Sequence, residues 1–332
     1  MIVTLTPNPS LDRTVSLPGA LVRGGVNRLS GVVTDPGGKG VNVARVLAAS
    51  GARVTTVLPA ASHDPLLAAL DAVALPDLTV AAVTVAGAAR VNTAVTEPDG
   101  TTTKINEPGS PLGDAERSAI ESALLEAVGP AASGTDGPRW AVLSGSLPPG
   151  APTDWYARLV TLLRPTGVSV AVDTSDAPLA ALAAALPQAA PDLIKPNGEE
   201  LGQLAGLPAE RATALEDGAR AGELGPVVEA ARVLVERGVT AVMATLGPAG
   251  GVLVTAEGAW HAQAPQVAVL STVGAGDSSV AGYVLASVRG QDAAGRLATA
   301  MRYGSAAASL PGTTLPTPAD LPGQVPAVTQ IA

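Results

Sequence analysis

Residues 271–282 read "STVGAGDSSVAG". A dinucleotide-binding turn carries G-x-G-x-x-G directly after the first strand of its domain. Here Gly274, Gly276 and Gly282 are spaced too widely and lie near the end of the chain. The glycines suit instead a tight turn into a helix over "DSSVAGYVLASV". At such a helix start the free N–H groups of Gly274, Ala275, Gly276 and Asp277 converge at the positive end of the helix dipole and form an anion hole. A carboxylate at its rim would repel a resting phosphate. It is well placed, though, to take the proton from a hydroxyl that attacks a phosphoryl group. On the residues alone, Asp277 reads equally as that base or as a helix N-cap.

A second glycine turn, "DPGGKGVNVARVLAASG", occupies 35–51. It lacks the G-x-x-x-x-G-K-[ST] spacing of a Walker A loop. Gly37, Gly38 and Gly40 let backbone approach a ligand at a helix start, Lys39 adds charge, and Asn42 offers both a donor and an acceptor. A plain glycine turn into a helix explains the same residues.

Around these turns, apolar runs alternate with Ala-rich helical stretches. "IVTL", "RVTTVL", "WAVLSG", "VSVAVD", "DLIKPN" and "TAVMATLG" read as strands buried on both faces. "GVNVARVLAAS", "DAERSAIESALLEAV", "TDWYARLVTLL" and "VVEAARVLVERG" read as helices. The alternation predicts a single α/β domain over 1–332, with a mainly parallel sheet between two helical layers. Residues 13–34 and 79–106 break the rhythm with short β-prone pieces and a "PDG" turn. They predict a small antiparallel layer, with a lid drawn from about 13–34 and 88–106. The Pro-rich end, 312–332, is expected to be an extended tail.

The chain carries 20 Lys and Arg against 29 Asp and Glu, and it has no Cys and no Phe. Disulfides, thiolate metal sites and cysteine nucleophiles are thereby excluded. The acidic balance speaks against general nucleic-acid or anionic-membrane binding. With no basic leader at "MIVTLTPNPS" and no long apolar run, a cytoplasmic location is expected. Only Lys39, Lys104 and Lys195 are lysines. In so Arg-biased a chain, a retained lysine suggests a compact point charge that guanidinium cannot replace.

Taken together, "GGKGVNVARVLAASG" and "STVGAGDSSVAG" resemble the two signatures of the PfkB/ribokinase-like sugar kinases, in the same order and at similar spacing. "TLTPNPSLDRT", "ARVNTAV", "LSGSLPPG", "KPNGEEL" and "TLGPAGG" extend the resemblance along nearly the whole chain, most closely to the 1-phosphofructokinase branch. It implies a ribokinase-like α/β/α fold with a β lid. It also implies phosphoryl transfer from ATP, with Mg²⁺, to a phosphorylated ketohexose, foremost fructose 1-phosphate.

Residue by residue, the resemblance implies Asp277 as general base, with Gly274, Ala275 and Gly276 holding the charge on the transferred group. Asp12, Gly38, Lys39, Asn42, Arg90 and Ser144 would meet the sugar phosphate, with Arg28 of the lid a further candidate. Lys195, Asn197, Thr245, Gly247, Gly250 and Gly276 would face the nucleotide, and Glu200 would organise the metal, directly or through water. Lys104 is left outside this set as an exposed strand lysine. Asp64 reads as a helix cap and Trp155–Tyr156 as helix packing. Ser271 departs from the Asp that many relatives carry there, so no monovalent-cation requirement is assigned. The exposed lid edges predict a homodimer.

Other readings stay open on sequence alone. The same chemistry on fructose 6-phosphate or tagatose 6-phosphate differs only in where phosphate and hydroxyl sit. A non-catalytic sugar-phosphate sensor would not need the whole "GAGD" turn, and a NAD-dependent dehydrogenase lacks its fingerprint here.

Overall fold

Runs of Val, Leu, Ile and Ala make the strands of one large sheet, and the helices between them pack apolar side chains against it, with residues 277–287 buried all round. The computed structural model describes residues 1–130 and 137–332. The first part of the chain gives β1 (Ile2–Leu5), β2 (Ser10–Ser16), β3 (Gly31–Gly37), α1 (Lys39–Ala49), β4 (Val54–Ala60) and α2 (Pro65–Ala72). It continues with β5 (Leu78–Thr84), β6 (Arg90–Thr96), β7 (Thr102–Asn106), α3 (Asp114–Val128), β8 (Trp140–Ser144) and α4 (Trp155–Leu163). Next come β9 (Ser169–Asp173), α5 (Asp176–Ala184), β10 (Leu193–Ile194), α6 (Gly198–Leu204), α7 (Ala209–Arg220), α8 (Gly225–Glu236) and β11 (Ala241–Thr245). The chain closes with β12 (Gly251–Thr255), β13 (Gly258–Ala262), α9 (Ala275–Val288), α10 (Ala293–Ala308) and β14 (Val328–Gln330).

The main sheet has ten strands in the order β14-β13-β12-β11-β10-β9-β8-β1-β4-β5. From β5 to β11 every pairing is parallel, and β12, β13 and β14 continue it antiparallel. One face is covered by α1, α9 and α10, through residues such as Val43, Leu47, Val280, Tyr283, Leu297 and Met301. The other is covered by α3, α4, α5, α6 and α8, through Ile120, Leu124, Leu159, Leu182, Leu201 and Leu234. Without Phe, the largest fully buried side chains are Trp155, Tyr156 and Tyr283. Trp155 and Tyr156 are packing residues of α4, as expected. Asp64 caps α2 by accepting from Leu66 N at 2.9 Å.

The second sheet, β3-β2-β6-β7, is the lid. Its outer pairings, β2 with β3 and β6 with β7, are antiparallel as expected, but the central pairing of β2 with β6 is parallel. Residues 79–84, grouped with this layer on sequence, instead belong to β5 at the edge of the main sheet beside β4. As an edge strand it has only half-buried and exposed positions, and "LTVAAVT" therefore resembles lid sequence locally. The terminal stretch is not all extended, since Pro318–Asp320 form a 3-10 turn. Nor is it a free tail, because residues 328–330 pair with β13 as the last strand of the main sheet.

Candidate active site

In an open α/β sheet, ligands lie beyond the carboxyl ends of the parallel strands, where the chain leaves for the next helix. Ser144 ends β8, Asp173 ends the neighbouring β9, Lys195 follows β10, and Thr245 ends β11. Ser144 and Asp173 sit side by side in register, and Asn197 bridges to Thr245. The topology thus carries four scattered sequence positions to one rim.

Two helices begin at that rim. Gly274, at φ 76°, is the N-cap of α9 and takes the left-handed turn that side chains resist. Ala275 N makes only a long 3.4 Å contact with the Thr272 carbonyl, which leaves the first N–H groups of α9 facing outward. Gly38 caps α1, and Lys39 opens it. Asn42, one turn in, donates through Nδ2 to Asp277 Oδ2 at 2.8 Å, joining the two helix starts. Asp277 does not cap α9; it lies inside the first turn and is buried. Burial pushes its carboxyl up to about 6, helped by the negative charge of Asp173 and opposed by Asn42, Lys39 and Lys195.

Asp173 organises the cations. Its Oδ1 lies 3.2 Å from Lys39 Nζ and 3.5 Å from Lys195 Nζ. Burial raises this carboxyl, but Lys195 and Lys39 outweigh that effect and hold it below the ordinary aspartate value. Lys39 is raised in turn, chiefly by Asp173 and against burial, with Asp277 and Glu200 adding to it. A Cβ on Gly276 would stand 3.2 Å from Lys195 Nζ, so this lysine lies directly against the α9 turn. Asp173 Oδ2 and Ser144 Oγ are buried with no hydrogen-bond partner among the described residues. Such atoms are expensive to leave unpaired and point to a ligand.

The root of the lid forms the second wall. Asp12 Oδ1 accepts from Ser10 Oγ at 2.8 Å and from Asn92 Nδ2 at 3.0 Å. A Cβ on Gly37 would fall 2.2 Å from Asp12 Oδ2, so only glycine leaves room for the carboxylate. Arg90 starts β6, and its Nη1 donates to Glu107 O at 3.3 Å. Burial lowers this guanidinium below its ordinary value, and Asp12 opposes the shift. Its Nε has no partner among the described residues, which leaves the fork available to an anion.

At the far end, Asn197 caps α6 in a reciprocal box. Its Oδ1 accepts from Glu200 N at 2.8 Å, and Glu200 Oε2 accepts from Asn197 N at 2.9 Å. The N-x-x-E spacing therefore has a structural use in its own right. Gly247 and Gly250 make the turn between β11 and β12. Arg28 and Lys104 are not brought to the site: both are exposed, Arg28 on the loop between β2 and β3 and Lys104 on β7.

Residues 8–320 match the description pfkB family carbohydrate kinase. The chain belongs to this family. It is 39% identical over 309 residues to a 1-phosphofructokinase of Rhodobacter capsulatus, covering 92% of this chain and 90% of the relative. A 1-phosphofructokinase of Xanthomonas campestris is 36% identical over 290 residues, covering 86% and 83%. The crystal structure of phosphofructokinase-2 from Escherichia coli with substrates and products superposes with a TM-score of 0.81 at 30% identity, covering 96% of each chain. The PfkB-type α/β fold with its small lid sheet follows from these matches and from the strand order.

In this sugar kinase, sequence reasoning missed Asp173 and Asn92. Asp173 ends "VSVAVD", and a carboxylate closing a mostly apolar strand was the available signal, because the carboxyl end of a parallel strand is a site position. Asn92 lay within the quoted "ARVNTAV" but gains meaning only through its parallel pairing opposite Asp12. Among the described residues no helix is long and apolar enough to cross a membrane.

Proposed function

We propose that this kinase transfers the γ-phosphoryl group of MgATP to fructose 1-phosphate, giving fructose 1,6-bisphosphate. The observation that carries the reading is Asp277: a buried carboxyl with a pKa of about 6, inside the first turn of α9, facing Lys39 and Lys195. Near neutral pH it is ionised and basic enough to take the proton of the acceptor hydroxyl. Asn42 fixes its orientation through Oδ2. The N–H groups of Gly274, Ala275 and Gly276 take up charge on the transferred group, the kind of preorganised electrostatics that usually contributes most to catalysis.

Asp12, Gly38, Lys39, Asn42 and Ser144 line the sugar side, and the Arg90 fork takes the acceptor's own phosphate. Arg28, exposed at the far end of the lid, would meet a sugar phosphate only by movement of the lid or through a second copy. Lys195, Asn197, Thr245, Gly247 and Gly250 line the nucleotide side. Among the described residues no cluster of three metal-ligating side chains exists. That suits Mg²⁺, which keeps most of its waters and takes one or two carboxylates plus phosphate oxygens. Glu200, directly or through water, and the unpartnered Asp173 Oδ2 are the carboxylates that would hold it. The ion would neutralise phosphate charge in a chain whose formal net charge is -9.

The test is ADP release with MgATP and, in turn, fructose 1-phosphate, fructose 6-phosphate, tagatose 6-phosphate, fructose and ribose. We expect fructose 1-phosphate to have the highest kcat/KM, in line with the 1-phosphofructokinase relatives. A higher value for either 6-phosphate reassigns the acceptor. Sugar-phosphate binding with no turnover would support the sensor reading instead.

We further propose a homodimer formed through the lid. Val32, Val33 and Ile105 expose 49%, 57% and 58% of their surface on β3 and β7, the two edge strands of that sheet. Apolar edge strands left open invite pairing with another chain, and a two-fold partner is the commonest solution. Sedimentation at micromolar concentration should give a dimer, and Val33→Asp together with Ile105→Asp should give a monomer. A monomeric wild type would refute the interface.

A further inference from the structure

The segment "PGTTL", residues 311–315, follows α10 and touches both halves of the site. On the lid side, Thr313 Oγ1 donates to Asp35 Oδ2 at 2.7 Å, across 278 positions of sequence. Gly312 lies against β2, where an added Cβ would stand 3.7 Å from Thr14 Oγ1. Asp35 belongs to β3 and precedes the Gly37–Gly38–Lys39 turn by two residues. The other flank of that strand end is held by α1, through Arg45 Nη1 donating to Pro36 O at 2.7 Å.

On the phosphate-turn side, Ser271 Oγ donates to Gly312 O at 2.8 Å and accepts from Val273 N at 3.2 Å. An added Cβ on Gly274 would stand 3.0 Å from Leu315 Cδ2. One short strap therefore bonds to the strand that carries the lid and packs on the glycine that caps α9. It reaches both without passing through the main sheet. The hydroxyl of Thr313 is its single side-chain hydrogen bond to the lid among the described residues.

We propose that Thr313 is a positioning residue that couples the lid strand β3 to the 274–277 turn, so that binding of the acceptor sugar phosphate and binding of the nucleotide tighten one another. The inference rests on the two-substrate reading of the site given above. An acceptor held between Asp12 and Arg90 pulls on the root of the lid, and the strap passes the displacement to the turn that receives phosphate. Linkage makes the effect reciprocal: whatever factor the sugar phosphate applies to nucleotide affinity, the nucleotide applies to sugar-phosphate affinity. A residue that merely stabilised the fold would weaken both affinities without changing that factor.

Isothermal titration of wild type and Thr313→Val with a non-hydrolysable ATP analogue and Mg²⁺, in the absence and presence of saturating sugar phosphate, reads the factor directly. Fructose 1-phosphate is used, or the 6-phosphate of fructose or tagatose if that binds more tightly. Wild type should show at least about fivefold tightening, within the usual range for coupled sites. Thr313→Val should keep each separate affinity within about twofold and reduce the tightening below about twofold, and Thr313→Ser should restore it. Equal coupling in wild type and Thr313→Val, or no coupling in wild type, overturns the inference and leaves the functional reading standing. A wild type that binds neither ligand overturns both.

Discussion

Asp277→Asn is expected to lower kcat by about 10²- to 10⁴-fold, the usual contribution of a positioned general base, while leaving both Michaelis constants within a few-fold. The amide keeps the shape and can still accept from Asn42, so the anion hole and the binding walls stay in place. The same substitution should stabilise the protein at neutral pH. The carboxyl stands at about 6 in the folded chain, above the ordinary aspartate value in the unfolded one. Its raised pKa therefore favours the folded state fully below that ordinary value, and the benefit is lost as pH rises through about 6. Above that pH the ionised group is a net burden, on the order of 3 kcal/mol for a shift of this size. Removing the charge relieves it. Thermal melts of wild type and variant should show a gain at pH 5 that is about half of the gain at pH 8. A variant that keeps wild-type turnover would remove Asp277 from catalysis.

The second large effect belongs to Asp173→Asn. This carboxylate is 2% exposed and neutralises two lysines, of which Lys195 is nearly as buried. Removing one partner of a buried ion pair strands the other and commonly costs about 3 to 5 kcal/mol. Lys39, 36% exposed, can recruit water, so the loss should fall toward the lower end of that range. Because Asp173 is depressed when folded, the deficit is complete at neutral pH. It shrinks only as pH falls below the ordinary aspartate range, where the wild-type carboxylate is itself protonated. The pH–rate profile carries a second signature. Asp173 helps push Asp277 upward, and without it the two freed lysines act on Asp277 with less opposition. The acid limb of kcat/KM, near pH 6 in wild type, should move lower in the variant. A limb that stays in place while urea denaturation shows the expected destabilisation would mean that Asp173 does not set the titration of Asp277.

Much of this arrangement could be read from the chain because its signals were local. Apolar runs marked the parallel strands, and two glycine turns marked the helix starts that meet at Asn42 and Asp277. The scarcity of lysine singled out Lys39 and Lys195, which end on one carboxylate. That carboxylate had only a slight local signature, an Asp closing an apolar run, and it becomes a site residue when β8, β9 and β10 stand side by side. The parallel pairing of β2 with β6 escaped notice for a similar reason, since its register is set by packing between segments far apart in sequence. Asn197 and Glu200 were visible as a pattern, but N-x-x-E serves a helix cap and a metal site alike, and spacing cannot divide the two. Lys104, left outside the site set, stands on a strand that faces solvent.

The order of strands in the main sheet bears on how the protein is made. β1 is synthesised first and lies in the interior, β4 and β5 extend it on one side, and β8 through β14 extend it on the other in the order of their translation. No later strand has to be threaded between two that already pair. The emerging chain can therefore consolidate by accretion at a free edge while the ribosome is still adding residues at a rate of about 5 to 20 per second. β14, Val328–Gln330, covers the edge of β13, so that edge stays open until the segment that forms β14 has emerged. Deleting Val328–Gln330 would leave the β13 edge uncovered, and disrupting Ile2–Leu5 would disturb the strand from which the whole sheet grows.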